Sequence, residues 1–505
     1  MKYILSVLVV LFAGQVIAQN TIADTYWNAH QKSIIDHYKT FLSIPNVTRD
    51  TPNIRKNAAF IQQWMKELGI ETKLLEGITP GVTPAVYGKV TVPGATRTIA
   101  FYAHYDGQPV NPKQWGTGLD PFTPVFITAP YERGGKIIQL PDTATRVPEN
   151  WRISGRGSAD DKAGVMTILH AYAALKEQKA KLTQNIVFFF EGEEEMGSTH
   201  IGEIFERNKS LLNADLWVIS DGPRHVSGSK MVVFGVRGDV NMALTVYGPK
   251  RPLHSGNYGN WAPNPARMLV ELLAGMKDEN NRVTIKGFYD DVVPLTETEK
   301  KAIAAIPDIE TTLKKDLGIV QPEGNGASFL ELLSLPTLNI NGISSGNTGA
   351  MAANIIPVKA EAALDLRLVL GNDLNRQVEK VKAHIRSRGY TILDHDPSDE
   401  ERLKYEKIIK ISVGDGYNAQ RTPMDLPLAQ FVIKAVQASS KEPIVLQPSA
   451  GGSLPLIVFE QKLGAKVLTV PVVNFDNNQH AENENVRIDY LREGIGTMVS
   501  IMSGN

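Results

Sequence analysis

Short apolar runs that stop abruptly at acids and histidines set the rhythm of this chain. Asn185 to Phe190 (NIVFFF) is the kind of run that fills a buried strand, and four carboxylates follow it within five positions, Glu191, Glu193, Glu194 and Glu195. Thr98 to Ala103 (TIAFYA) predicts a second strand and leads into His104-Tyr105-Asp106; Leu216 to Ser220 (LWVIS) predicts a third and leads into Asp221-Gly222. Val467 to Val473 predicts a fourth, running on toward His480. Val165, Ile168, Leu169, Tyr172 and Leu175 recur at helical spacing behind Asp160-Asp161, which puts both aspartates at a helix N-terminus. Ile34, Ile35, Tyr38 and Leu42, then Ile61, Trp64, Met65 and Leu68, predict helix over Tyr26 to Leu68.

The middle of the chain follows a different pattern. From about Val236 to Gln420 a strand alternates (Val240, Met242, Leu244, Val246), a helix runs from Asn264 to Lys277, and strands follow at Thr337 to Asn341 and Ala360 to Val369. Leu374, Val378, Val381 and Ile385 then mark one face of a second helix. Alternating strands imply a sheet with one face free for solvent or association and the other covered by helices. The expected architecture is therefore α/β, a mixed sheet flanked by helices, carrying an inserted α+β two-layer domain. The expected boundaries are a first part over 19–235, the insert over 236–420 and a second part over 421–505.

Ligand crevices in open α/β sheets lie beyond the carboxyl ends of the strands. His104, Glu194, Glu195, Asp221 and His480 all follow such ends. Taken alone each has a bland explanation: charge runs are usually solvated faces, and an Asp before a helix is usually a cap. No Lys or Arg is interleaved among the four glutamates, however, and the same pattern recurs at several strand ends. That repetition calls for bound cations. Asp106, two residues beyond His104, can take the imidazole N–H and fix its tautomer for a metal.

Composition narrows the chemistry. The 505 residues exceed one ordinary core, and there is no cysteine, so a metal site must be built from His, Asp and Glu. A sequence pI near 6.8 without a basic run argues against nucleic acid as partner. Lys2, the apolar run Tyr3 to Ala13 and the small-residue site at Val16-Ile17-Ala18 predict a secretory leader over residues 1–18, cut before Gln19, and no stable membrane anchor. The expected location is periplasmic or extracellular.

Five ordered motifs then carry a resemblance: YAHYDGQPV at Tyr102 to Val110, GRGSADDKAG at Gly155 to Gly164, EGEEEMGS at Glu191 to Ser198, ISDG at Ile219 to Gly222 and LHSGNYGN at Leu253 to Asn260. Together they resemble the M20 zinc peptidases, among them dipeptidases, carboxypeptidases and aminoacylases, and most closely the dipeptidase branch. The resemblance implies a zinc-exopeptidase-like fold whose insert serves as lid and dimerisation domain. It implies two Zn²⁺ per chain, with Mn²⁺ or Co²⁺ as substitutes: one ion on His104, Asp160 and Asp221, the other on Asp160, Glu195 and His480. It further implies Glu194 as general base, Asp106 behind His104, a cis peptide between Asp160 and Asp161, and a homodimer that brings His254 to the oxyanion. Arg367 and Gly451-Gly452-Ser453 would receive a substrate carboxylate. The expected substrate is a small peptide or an N-acyl amino acid, and a non-catalytic binding protein on the same fold is the alternative from another class. One departure is Ser449-Ala450, where the dipeptidases carry Arg-Glu; a second is the lengthened Phe126 to Asn150 stretch of the Pro- and Gly-rich Gln108 to Asn150 segment, which is expected as a loop. His30, His37, His170, His200, His225, His384 and His395 match no motif and are expected in structural or surface positions.

Overall fold

The computed structural model describes the backbone from residue 2 to 504 and side chains from residue 21 to 504. The leader expected over residues 1–18 lies outside the residues whose side chains are described. Among the described residues no helix is long and apolar enough to cross a membrane.

An eight-stranded mixed sheet forms the centre of the larger unit. Its order is Glu71–Leu75, Ala85–Val90, Asn185–Glu191, Thr98–His104, Leu216–Ile219, Lys466–Thr469, Met231–Val233 and Val445–Gln447. The four middle strands run parallel, so their carboxyl ends share one edge. Along Asn185–Glu191 the aromatic run alternates between faces. Phe188 and Phe190 pack under the helices Lys162–Glu177 and Ile488–Ser503, while Phe189 meets Trp217 and Phe205 on the opposite side, where both also meet Phe459. All three phenylalanines are fully buried, each worth about 2–3 kcal/mol of transfer free energy. The strand is thereby fixed, and Glu191 at its end is paired in register with His104.

Two local expectations needed correction. The predicted helix over Tyr26 to Leu68 is two helices, Lys2–Leu42 and Thr51–Glu67. Pro45 lies in the break, and Asp50 starts the second helix by accepting the backbone N–H of Asn53. The Gln108 to Asn150 segment is not merely loop: Val125–Ile127 and Ile137–Ile138 form a four-stranded sheet with Arg152–Ser154 and Asn485–Arg487. Those strands are two or three residues long and paired largely with distant segments, so they leave no periodicity to read.

The second unit is a five-stranded sheet in the order Thr337–Ser344, Lys359–Leu368, Gly238–Tyr247, Ile408–Tyr417 and Thr391–Leu393. Val240, Met242, Leu244 and Val246 face the helices Pro265–Ala274 and Leu374–Ser387 in a separate core. A two-stranded ribbon, Gly235–Val236 against Gln420–Arg421, connects the two units. The fold is therefore mixed α/β, as the hydrophobic pattern predicts.

Candidate metal centre

Each acidic motif is delivered to the common strand edge by a turn that its sequence encodes. After Asn185–Glu191 the chain enters a short 3-10 turn at Glu194–Met196, closed by Gly197 at φ 81°. After Leu216–Ile219, Gly222 adopts φ 82° beside Asp221. Both φ values are in the left-handed region that glycine enters without a Cβ penalty. The predicted fourth strand stops early, at Thr469, because Pro471 has no N–H to extend the ladder. The irregular chain beyond it carries His480, itself at φ 63°, to the same edge. Asp161 caps the Lys162–Glu177 helix by accepting the Gly164 N–H, and the Asp160–Asp161 peptide is cis. A Cβ on Gly164 would sit 2.5 Å from Asp161 Oδ1, so this close approach requires glycine.

Six side chains converge there. His104 Nε2 lies 2.9 Å from Asp160 Oδ1, 3.8 Å from Glu194 Oε2 and 4.0 Å from Asp221 Oδ1. His480 Nε2 lies 3.0 Å from Asp160 Oδ2 and 3.2 Å from Glu195 Oε2. Asp160 thus faces a histidine with each of its oxygens. Ligand atoms of His104, Asp160 and Glu195 lie within 4.8 Å of one another, as do those of His104, Asp161 and Asp221. Asp161 is already engaged, however, accepting N–H groups from His104 and Gly164.

The geometry also separates the four glutamates, which chemistry alone leaves equivalent. Tyr102 donates its hydroxyl to Glu191 at 2.6 Å, and Glu193 pairs with His200 Nδ1 at 2.8 Å. Glu194 and Glu195 instead turn toward His104 and His480.

The donor set fits divalent cations. Burial pushes the Asp221 carboxyl up to about 7, with Asp160 and Glu195 adding repulsion. Burial likewise holds Glu194 well above the usual carboxylate range, reinforced by Asp221 and Glu195. Against its own burial, Asp160 is held low by hydrogen bonds from both imidazoles. Carboxyls crowded in this way are the ones a divalent ion would keep ionised.

Two further residues hold the ligands in place. The Asp106 carboxylate, fully buried, lies 3.3 Å from His104 Nδ1 and accepts the backbone N–H groups of Glu194 and Glu195 at 3.2 and 3.0 Å. It therefore fixes the imidazole and the acidic turn together. Glu484, also fully buried, accepts Arg156 Nη1 at 2.7 Å and the N–H groups of Gly157, Ala159 and Asp160 at 3.0, 2.8 and 3.0 Å. The sequence reading missed Glu484. Its only local signal is an acid in the ENENVRI run just beyond His480.

A cleft of about 670 Å³ opens over the cluster, lined by Asp160, Glu194, Glu195, Asp221, His480 and Gly451-Gly452-Ser453. Its volume is in the range of small-ligand sites. Arg367 reaches the loop from the second sheet, donating to Ser453 Oγ at 2.8 Å while Asp365 holds its Nε at 3.1 Å. His254 is not brought to the cleft within its own chain; it is exposed, and its Nδ1 accepts the Gly256 N–H. His225, expected in a structural or surface role, lines the cleft beside Asp221.

A helix-flanked mixed sheet with a carboxylate-rich, two-histidine cluster at its parallel strand ends defines a metal-dependent hydrolase. Residues 100–504 match the model of peptidase family M20/M25/M40, and the chain belongs to that family of metal-dependent peptidases. It is 26% identical over 470 residues to the Cys-Gly metallodipeptidase dug1 of Schizosaccharomyces pombe, covering 90% of this chain and 91% of the relative. It is 24% identical to the human Beta-Ala-His dipeptidase, covering 92% and 89%. Its fold matches the M20 family metallo-carboxypeptidase Sso-CP2 of Sulfolobus solfataricus with a TM-score of 0.74 at 26% identity, over 93% of this chain and 98% of the other.

Proposed function

We propose that the protein is an exported dinuclear zinc exopeptidase, which hydrolyses dipeptides or removes the C-terminal residue of short peptides. The observation that carries this reading is the division of labour between adjacent glutamates. Glu195 faces His480 at 3.2 Å, whereas Glu194 lies 3.8 Å from His104 and opens on the cleft. One zinc would be held by His104, Asp160 and Asp221 and the other by Asp160, Glu195 and His480. Mn²⁺ and Co²⁺ suit the same oxygen and imidazole donors. Bound there, the ions supply Lewis acidity toward the scissile carbonyl and make water acidic near neutral pH.

The protein's own groups do the rest. Glu194 takes a proton from the attacking water and returns it to the departing amine, so no covalent enzyme intermediate is needed. Asp106 keeps His104 in the tautomer that presents Nε2 to the centre. Arg367, Ser453 Oγ and the N–H groups of Gly451 and Gly452 receive the substrate carboxylate; the planar guanidinium suits a bidentate contact. His254 stabilises the oxyanion from a partner subunit in a homodimer, because it does not line the cleft of its own chain. The long exposed edge strand Thr337–Ser344, with Ile343 on its surface, favours the second sheet as the dimer contact and lid. Export rests on the leader read from residues 1–18. The metallodipeptidase and metallo-carboxypeptidase relatives support a peptide over an N-acyl amino acid as substrate.

The test is hydrolysis of a pool of dipeptides, short peptides and N-acetyl amino acids by zinc-loaded protein, alongside Glu194→Gln. Turnover in the variant should fall roughly 10²–10⁴-fold with metal content unchanged. A variant within tenfold of wild type would show that Glu194 is not the base, and cleavage confined to N-acetyl amino acids would reassign the substrate.

A further inference from the structure

The second unit does not stay on its own side of the cleft. Between the Phe288 turn and the Thr337–Ser344 strand, residues 295–335 cross back to the metal-bearing unit as a strap of three short helices, Glu297–Ala305, Glu310–Leu317 and Phe329–Leu333. The first helix packs beside the edge strand Val445–Gln447. Its Glu299 is buried in an ion pair with Arg421 Nε at 2.9 Å and closes a capping box with Thr296. Ile306 joins Met231, Val233 and Val445 in a small core. Glu310 ties the second helix to the third by accepting the Phe329 N–H at 2.6 Å. The strap is therefore anchored at its base and cross-linked at its tip.

Past that anchor its apolar side chains face the cleft. Ile309, Leu313, Phe329 and Leu330 line it opposite Met231 and Val233. Phe329 is 41% exposed, and the other three strap residues are half-buried, so this wall keeps apolar surface open to the cleft. Among the described residues the acids lining the cleft are Asp160, Glu194, Glu195 and Asp221, all in the metal cluster. Arg224, also at the cleft, is 2% exposed and spends its charge on Glu493 and the Tyr490 ring. The strap's own charged side chains, Lys300, Asp308, Glu310 and Glu331, line an adjoining cavity. Ala450, next to Gly451, belongs to the same apolar surface as Met231 and Val233.

We infer that the strap builds a specificity subsite for a bulky apolar side chain on the C-terminal residue of the substrate. The end is assigned by contiguity: a Cβ on Gly451 would lie 3.3 Å from Leu333 Cδ2, so the strap abuts the Gly451-Gly452-Ser453 loop. This inference rests on the peptidase reading, in which that loop receives the carboxylate. An apolar pocket discriminates by the area it removes from water, about tenfold or more for a leucine against a glycine.

The experiment compares wild type with a Leu313→Ser/Phe329→Ser double variant, both on the solvent-facing strap and away from the metal cluster. Specificity constants are measured for Ala-Leu, Ala-Phe, Ala-Gly, Ala-Lys and Ala-Asp and for the reversed Leu-Ala. Binding of free L-leucine and glycine is followed by calorimetry. Wild type should favour Ala-Leu and Ala-Phe over the other Ala-Xaa peptides by tenfold or more; the variant should lose about tenfold of that preference while its Ala-Gly rate holds. Leucine affinity should fall in parallel and glycine affinity should not. An unchanged Leu:Gly ratio in the variant, or a preference for Leu only on the amino side of the bond, overturns the subsite. Hydrolysis of no peptide by wild type, with leucine binding that the variant loses, would sink the peptidase reading and leave the subsite standing.

Discussion

Replacing Glu484 by Gln changes one atom, and the structure says what that atom does. Oε1 accepts the Ala159 and Asp160 N–H groups, and Oε2 accepts Gly157 N–H and the Arg156 guanidinium. Burial raises the Glu484 carboxyl pKa and Asp160 adds to it, while Arg156 and the backbone donors favour the ionised form. Four donors and no acceptor make the carboxylate the form this pocket serves. A carboxamide presents an NH₂ to one pair of donors. If it faces Arg156, a guanidinium only 3% exposed loses its carboxylate and keeps only the Ala481 carbonyl as acceptor, a change of about 3–5 kcal/mol for a buried pair. If it faces the other oxygen's partners, two buried N–H groups are orphaned at about 1–3 kcal/mol each. The two orientations together span a loss of roughly 2–6 kcal/mol, read as a lower urea midpoint. The same donors hold the loop that ends in Asp160, so metal affinity should fall about 10–100-fold in a chelator competition. Stability within 1 kcal/mol (~1 on the scale of a single hydrogen bond) together with unchanged metal affinity would refute the argument that Glu484 holds the bridging aspartate in place.

Asp106→Asn should lower metal affinity about 10–100-fold, because the amide offers a single acceptor oxygen to His104 and to the Glu194 and Glu195 N–H groups; unchanged metal binding would remove Asp106 from its positioning role. His170 is buried, accepts or donates at Tyr26 Oη at 2.9 Å, and has its pKa lowered to about 3 by burial, with His37 and His30 contributing. The folded state therefore binds fewer protons than the unfolded state between about pH 3 and 6.5, and stability is lost as pH falls through that window, by at most about 1.4 kcal/mol per unit. Denaturant midpoints of wild type and His170→Gln from pH 7 to 4 should converge as the pH falls; parallel curves would show that His170 does not titrate on unfolding.

The strand-end motifs were legible because each depends on neighbours in sequence. A buried run such as Asn185 to Phe190 must be apolar, the turn after it needs glycine at φ near 80°, and the ligands follow directly. The alternation of Val240, Met242, Leu244 and Val246 likewise announces a second sheet with its own helix-covered face. Where local periodicity is weak the pattern carries no signal: neither the helix break at Pro45 nor the two-residue strand Ile137–Ile138 leaves one.

What only the tertiary structure decided are the relations between residues far apart in the chain. Which glutamates face the histidines depends on Tyr102 engaging Glu191 and His200 engaging Glu193, and the first of these contacts spans 89 positions. Glu484 acts on a loop more than 320 residues earlier. The strap reaches the cleft through an ion pair between Glu299 and Arg421, and no periodicity marks either residue. Sequence sets which residues can ligate, cap or pack, because those are properties of side chains and short backbone segments. Which of them meet is set by closing a chain of 505 residues around several separate cores, and that closure has no local signature.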